Sequence, residues 1–198
     1  MNSFEKDLHK NSSNFVPLSP ISFLERVKDV YPDYEALVYE DRKYTWKQVY
    51  DRSTQFASSL EKQGIGLGDT VSILAANTPE LFEAHYSIPM TGAVINTINT
   101  RLDPQTVAYI LEHSDAKLFI VDTQFSPIIK KAFELLKKEI PIIDIVDNSA
   151  QLKEDEGERL GQWTYEEFLN LGDKDYKWKR PKDEWQAISL SYTSGTTG

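Results

Sequence analysis

Apolar and polar positions between residues 71 and 146 follow a repeating order of short apolar runs and longer amphipathic segments. The apolar runs at 71–75, 93–95, 118–121 and 142–146 predict buried strands. The segments between them begin at Thr78-Pro79, Asp103-Pro104 and Ser126-Pro127 and predict helices, because proline is favoured in the first helical turn. Strands separated by helices of this length pair in parallel through right-handed crossovers. The pattern therefore predicts an α/β fold, with a mostly parallel sheet and flanking helices.

Two helices and a hairpin are predicted ahead of this region. The spacing of Phe23, Leu24, Val27 and Val30 indicates a short helix that ends near Pro32. Residues 36–39 and 43–44 then predict a small hairpin. Thr45-Trp46-Lys47-Gln48 has the capping-box pattern, so a second helix is expected to begin there. Its apolar face carries Val49, Phe56, Ala57 and Leu60, and Gly64 is expected to end it.

The remaining segments are less regular. Residues 1–17 are polar and are interpreted as a flexible lead-in to one domain over 18–198. Residues 148–162 are rich in charge. An acidic docking or calcium site is one interpretation of them, but calcium loops need oxygen ligands at set positions, so we favour a solvated surface loop. Residues 163–171 predict one more short helix, and residues 187–192 a last strand.

Composition and charge exclude several classes of protein. Hydrophobic residues make up 40% of the chain, which argues against intrinsic disorder. The formal net charge of −9 disfavours binding to nucleic acid and to anionic membrane surfaces, where Lys and Arg supply the affinity. No run of roughly 18 apolar residues is present, so no membrane-spanning helix is expected. With no signal-peptide core near the start, a cytoplasmic location is the expectation.

Cysteine and histidine give little support for metal or nucleophilic chemistry. The absence of cysteine removes disulfides, thiolate metal sites and cysteine nucleophiles together. His9, His85 and His113 are scattered, so no local metal motif exists and no metal ligand is predicted. His85 could serve as a base, but we expect it to be packed on a mostly apolar helix face.

The candidate chemistry lies in Tyr192–Gly198, which reads YTSGTTG after an apolar strand. Glycine lets the main chain approach a ligand closely, and the hydroxyl groups add hydrogen-bond donors. Such a set suits phosphate oxygens, although a plain Ser/Thr/Gly turn is the alternative. It is not a Walker A loop, because the required lysine is missing. The glycines of 64–68 follow a helix and precede a strand, the reverse of a dinucleotide-binding turn, and predict a helix stop and a turn.

The run YTSGTTG resembles the phosphate-binding loop of the adenylate-forming superfamily, which includes acyl-CoA synthetases, luciferases and peptide-synthetase adenylation domains. Five further segments resemble motifs of that superfamily in the expected order. They are residues 18–26, Tyr44-Thr45-Trp46, residues 68–80, residues 92–102 and Asp183-Glu184-Trp185. The last resembles the short- and medium-chain acyl-CoA synthetase branch.

The resemblance implies a two-step ligation that uses ATP, Mg²⁺ and coenzyme A. A carboxylic acid attacks ATP to give an acyl-adenylate and pyrophosphate, and the thiol of coenzyme A then displaces AMP. It also implies a role in binding the ATP phosphates for Thr193, Ser194, Gly195, Thr196, Thr197 and Gly198.

The resemblance assigns no catalytic residue to this chain. In that family the remaining machinery follows the phosphate loop, so the chain is expected to be the N-terminal portion of the large domain, incomplete and inactive by itself. Two alternatives stay open. One is a non-catalytic binding module of the same fold, and the other is an adenylation domain serving a carrier protein.

Overall fold

The computed structural model describes residues 4, 6–11 and 13–193, and within them helices and strands alternate much as the sequence predicts. The helices are α1 Pro20–Val30, α2 Trp46–Lys62, α3 Pro79–Ser87, α4 Pro104–His113, α5 Ser126–Phe133 and α6 Tyr165–Leu169. The strands are β1 Glu35–Tyr39, β2 Arg42–Thr45, β3 Thr70–Leu74, β4 Val94–Thr97, β5 Ala116–Asp122, β6 Ile142–Ile145, β7 Trp163–Thr164 and β8 Ser189–Leu190. Single 3₁₀ turns lie at Pro89–Thr91 and Thr123–Phe125.

The main sheet has the strand order β7-β6-β5-β3-β4-β8, and all of its neighbouring strands pair in parallel. The predicted α/β fold is therefore confirmed. The order reverses beside β3, since β4 lies on one side of it and β5 on the other. In open parallel sheets of this kind, ligands bind at the carboxyl ends of the strands. Strands β1 and β2 form the predicted antiparallel hairpin apart from the sheet.

Helix starts follow the local signals in the sequence. The Thr45 hydroxyl accepts from the Gln48 amide and the Gln48 side chain accepts from the Thr45 amide, so the predicted capping box is present. Helices α3 and α4 begin at prolines after capping Thr78 and Asp103. Helix α1 begins three residues earlier than predicted, because Ser19 caps it and a proline follows. Gly64, with φ +81°, follows the end of α2 as predicted, in a conformation that favours glycine.

The core has a layer on each face of the sheet. The four residues that the sequence assigned to the apolar side of α2 are all buried: Phe56 and Leu60 pack on one face of the sheet, and Val49 and Ala57 pack in a third cluster with α1. The Phe56 ring stacks on Tyr165 of α6 with 4.4 Å between ring centroids. On the other face, α4 and α5 pack Val107, Leu111 and Ile129 against the sheet. Fully burying one such side chain contributes about 1.5–3 kcal/mol.

A long connection, residues 170–188, carries the chain from α6 beside one edge of the sheet to β8 at the other edge. We call it the crossing segment. It is held to α2, since the Asp173 amide donates to Ser58 Oγ at 2.9 Å and Trp178 Nε1 donates to the Tyr50 hydroxyl at 3.1 Å. The Lys179 amide donates to the Met90 carbonyl at 3.0 Å. The position of β8 therefore depends on packing over α2.

Two predicted elements differ from the structure. The helix expected over 163–171 is only Tyr165–Leu169, because Trp163 and Thr164 pair with β6 as strand β7. The strand expected over 187–192 is two residues long. Residues 148–162 form an irregular surface loop, as predicted. In the part of the chain that is described, no helix has both the length and the apolar character needed to cross a membrane.

Candidate functional site

The predicted phosphate-binding residues begin three residues after β8. Of the six, Thr193 is described and exposed. Ser194, Gly195, Thr196, Thr197 and Gly198 lie outside the described residues, so their role stays a prediction. The lead-in predicted for 1–17 likewise falls partly outside, at residues 1–3, 5 and 12. What the structure does describe is how the start of the predicted loop is held.

Strand β8 is fixed to the sheet by a buried asparagine. Asn96 of β4 has no exposed surface, and its Nδ2 donates to the Leu190 carbonyl at 2.9 Å. Its Oδ1 accepts from the Ser72 hydroxyl of β3 at 3.0 Å. Main-chain pairing adds the Ile95 amide, which donates to the Ile188 carbonyl at 3.1 Å. One amide side chain thus joins three neighbouring strands just before the predicted loop.

A second contact holds Tyr192, the residue directly before Thr193. A hydrogen bond of 2.7 Å joins the Tyr192 hydroxyl and Nδ1 of His113, which ends α4. The Tyr192 ring packs against the core layer formed by α4 and α5. Burial raises the pKa of Tyr192 above its ordinary value of 10.0, so the phenol stays protonated at neutral pH.

Two carboxylates lie at or just beyond the carboxyl ends of β5 and β6, on one side of β3, where the strand order reverses. Asp122 ends β5, is fully buried, and accepts from both the main-chain amide and the side chain of Gln124. Burial raises the pKa of Asp122. Burial also opposes the ionisation of Asp147, which follows β6, but hydrogen bonds from Tyr39 and Ser149 outweigh it and lower the pKa of Asp147.

These carboxylates are engaged in local hydrogen bonds. A polar cleft of about 460 Å³ opens beside Asp147 and Arg42. Over residues 4, 6–11 and 13–193, no group of three His, Cys, Asp or Glu side chains could hold a metal ion. Asp122 stabilises the turn after β5, and Asp147 stabilises the turn after β6 and joins it to Tyr39 of β1.

An apolar cleft of about 460 Å³ lies between α3 and the β4–β8 edge, lined by Phe82, His85, Tyr86 and Ile188 among others. The expectation that His85 is packed is wrong. Its ring is exposed, and Nδ1 hydrogen-bonds to the Leu81 carbonyl of its own helix at 2.8 Å.

A buried ion-pair network on α3 was not predicted. Arg52 Nε donates to Glu83 Oε1 at 2.6 Å, and the two terminal nitrogens of Arg52 donate to Glu166 at 3.1 and 2.5 Å. Glu83 is 1% exposed. Burial raises the pKa of Glu83 to about 7, against the charge of Arg52, which lowers it. The network ties α2, α3 and α6 together. The signal for it in the sequence was the pair of glutamates, Glu80 and Glu83, among the apolar residues of α3.

Comparison with known proteins places these features in a family. The profile of the AMP-binding enzyme family matches residues 24–198. An acetate–CoA ligase of Humulus lupulus is 44% identical over 199 residues, a match that covers 96% of this chain and 35% of that protein. A peroxisomal acetate/butyrate–CoA ligase of Arabidopsis thaliana is 39% identical, with the same coverage. The chain thus spans about a third of the length of these relatives.

A solved structure agrees with the sequence relatives. The crystal structure of an anthranilate CoA ligase in complex with anthranoyl-AMP matches with a TM-score of 0.81 and 26% identity, over 96% of this chain and 35% of that one. The fold is that of the adenylate-forming N-terminal domains. The resemblance in the loop and core motifs is therefore confirmed at the level of the family.

The comparisons correct one expectation. A cytoplasmic location was expected because no signal peptide is present. That expectation is contradicted by relatives whose names state a peroxisomal location, the Arabidopsis acetate/butyrate–CoA ligase and the trans-cinnamate:CoA ligase of Petunia hybrida. With the profile match over residues 24–198, this chain belongs to the AMP-binding enzyme family.

Proposed function

We propose that this chain forms the N-terminal part of the large domain of an ATP-dependent acyl-CoA synthetase, with residues 1–17 as its lead-in. The observation that carries the proposal is that Tyr192 and Thr193 follow the carboxyl end of the edge strand β8, the end at which parallel sheets bind ligands. In the sequence these two residues begin a run of hydroxyl residues and glycines that extends to Gly198. The similarity to CoA ligases over nearly the whole chain supports the same conclusion.

The proposed reaction has two steps. A carboxylate oxygen attacks the α-phosphorus of ATP, and the bond to the bridging oxygen breaks to release pyrophosphate and leave an acyl-adenylate. The thiolate of coenzyme A then attacks the acyl carbon, and AMP leaves as the thioester forms. Because both reactants in the first step are anions, the enzyme must neutralise and orient the phosphates.

In this proposal the residues of the loop hold the phosphate oxygens. Hydrogen bonds to a charged group contribute roughly 1.5–3 kcal/mol each. Mg²⁺ would supply further neutralisation of the phosphate charge when it accompanies ATP. The donors are the hydroxyls of Thr193, Ser194, Thr196 and Thr197 and the amides near Gly195 and Gly198.

We infer that the 198 residues do not complete either step alone. The support is that they span about 35% of the length of the related ligases. For the full-length protein we propose a short carboxylic acid as substrate, since acetate and butyrate appear in the names of relatives, and a peroxisomal location, as in the name of the Arabidopsis relative.

The test compares the full-length gene product with the 198-residue chain. Each is incubated with ATP, Mg²⁺, coenzyme A and acetate, butyrate or cinnamate, and thioesters are detected by mass spectrometry. We expect acid-dependent thioester and AMP from the full-length protein, and neither from the short chain. Failure of the full-length protein with every acid would contradict the proposed ligase. Acyl-adenylate made by the short chain would contradict its inactivity.

A further inference from the structure

Two side chains hold the residues that lead into the predicted phosphate-binding loop: Asn96 of β4 bonds to Leu190, and His113 of α4 bonds to Tyr192. Beyond Leu190, where the Asn96 side chain makes its last contact, residues 191–193 have no regular secondary structure. The Tyr192 side chain restrains them, through its 2.7 Å hydrogen bond to His113. We call this pair of residues the His113–Tyr192 contact.

The His113 ring is itself fixed by two aromatic neighbours. It stacks on Tyr109, one turn earlier on α4, with 5.4 Å between centroids and 24° between planes. Tyr192 meets it edge-on at 5.7 Å and 78°. The orientation of His113 therefore does not rest on a single hydrogen bond. A stacked imidazole presents Nδ1 to the Tyr192 hydroxyl in one geometry.

We propose that His113 is a positioning residue for ATP binding, because it fixes Tyr192, the residue from which the predicted phosphate-binding run begins. This inference rests on the proposed function, because it takes the run after Tyr192 as the site for the ATP phosphates. His113 is the last residue of α4, and among the described residues it contacts Tyr192, which directly precedes the predicted loop.

The physical reason is preorganisation. A binding segment that follows directly on a fixed residue loses less conformational entropy when it becomes ordered around a ligand. The Tyr192 ring supplies a rigid attachment because it also packs against the core layer of α4 and α5. Loss of the contact should therefore weaken the binding of ATP, while the chemistry at the α-phosphorus proceeds once ATP is bound. The acid does not bind through this contact, so its KM should not respond.

The test uses four variants of the full-length protein. His113→Phe keeps a stacking ring and removes the hydrogen bond, and Tyr192→Phe removes the bond from the other partner. His113→Asn keeps a polar atom near the position of Nδ1. Tyr109→Phe is the matched control, because it removes a phenol hydroxyl from the same helix and keeps the ring that stacks on His113.

Pyrophosphate release is measured against ATP at saturating acid. We expect His113→Phe and Tyr192→Phe each to raise the KM for ATP about 3- to 10-fold, the range of one hydrogen bond. The double variant should show no more than the larger single effect, His113→Asn should recover part of the loss, and Tyr109→Phe should match the wild type. An unchanged KM for ATP, additive single effects or an equal rise in the KM for the acid would overturn the proposal.

A second measurement does not depend on activity. Amide hydrogen exchange of peptides covering 191–198, without nucleotide, should become faster in His113→Phe and Tyr192→Phe than in Tyr109→Phe. Equal exchange in all three overturns the positioning role even if the enzyme is active. If the wild type releases no pyrophosphate with any acid, the proposed ligase fails, and the exchange result still decides whether His113 holds this segment.

Discussion

Replacing Gly172 with alanine should loosen the crossing segment from α2. A Cβ atom at Gly172 would lie 1.9 Å from the Gln55 carbonyl oxygen and 2.7 Å from Ser59 Oγ. The closer of the two is main chain in the middle of a buried helix, which cannot move aside as a flexible side chain can. The segment must therefore move by about 1.5 Å to restore ordinary van der Waals contact near 3.4 Å.

The movement breaks hydrogen bonds that hold the segment. Gln55 Nε2 donates to the Gly172 carbonyl at 3.4 Å, the Asp173 amide donates to Ser58 Oγ at 2.9 Å, and Lys62 Nζ donates to the Leu171 carbonyl at 2.6 Å. Each is worth about 1 kcal/mol net, so losing two or three lowers the free energy of unfolding by about 2–3 kcal/mol.

Urea unfolding followed by tryptophan fluorescence measures the change. Gly66→Ala is the matched control, because a Cβ there meets nothing within 4 Å and its φ is not positive. We expect Gly66→Ala to stay within about 0.5 kcal/mol of the wild type. A Gly172→Ala variant as stable as Gly66→Ala would refute the close packing of the crossing segment on α2.

Three further changes test other parts of the fold. Because the pKa of Glu83 is raised to about 7 from 4.5, the stability it contributes is full below pH 4.5 and is lost as pH rises through 7. Glu83→Gln should therefore remove up to about 3 kcal/mol of pH dependence between pH 4.5 and 8 in urea unfolding, and an unchanged pH profile would contradict it. Phe56→Ala removes the buried ring stacked on Tyr165 and should cost about 3–5 kcal/mol; a loss under about 1 kcal/mol would show that the site is not packed. Asn96→Ala should lower stability by about 1–3 kcal/mol and speed amide exchange in β8, whereas slow exchange there would mean that main-chain pairing alone holds the strand.

Elements whose signals are local were predictable from the sequence. Thr45 and Gln48 define the start of α2 without help from the rest of the chain, because both partners of the capping box lie within four residues. The prolines of α3 and α4 act in the same way. The parallel sheet followed from the alternation of such helices with apolar runs.

Elements that depend on distant partners were not predictable. Strand β7 is two residues that pair with β6, and the carboxylate of Asp144 holds the turn before it through the amides of Leu160 and Gly161. The start of the neighbouring helix at Tyr165 is instead set locally, by a capping box between Thr164 and Glu167. Glu83 is buried because Arg52, 31 residues away, arrives on another helix. The spacing of residues along the chain does not predict this ion pair.

The candidate site was predictable in part. The order of residues in YTSGTTG predicts the loop, and the structure describes Tyr192 and Thr193 after β8, so the phosphate-binding role of the run stays a prediction. The hydrogen bonds of Asn96 and His113 to the residues that precede the loop were not predicted. Those side chains lie 94 and 79 residues from their partners, Leu190 and Tyr192, so only the folded chain brings them together.

The most direct test of the central claim is ATP–pyrophosphate exchange by the full-length protein. Labelled pyrophosphate is added with ATP and Mg²⁺, with and without acetate or butyrate, and without coenzyme A. The proposed first step predicts label in ATP only when an acid is present, because the acyl-adenylate must form reversibly. Label that appears equally without acid, or no label with any acid, would contradict the assignment of this chain to an acyl-adenylate-forming ligase.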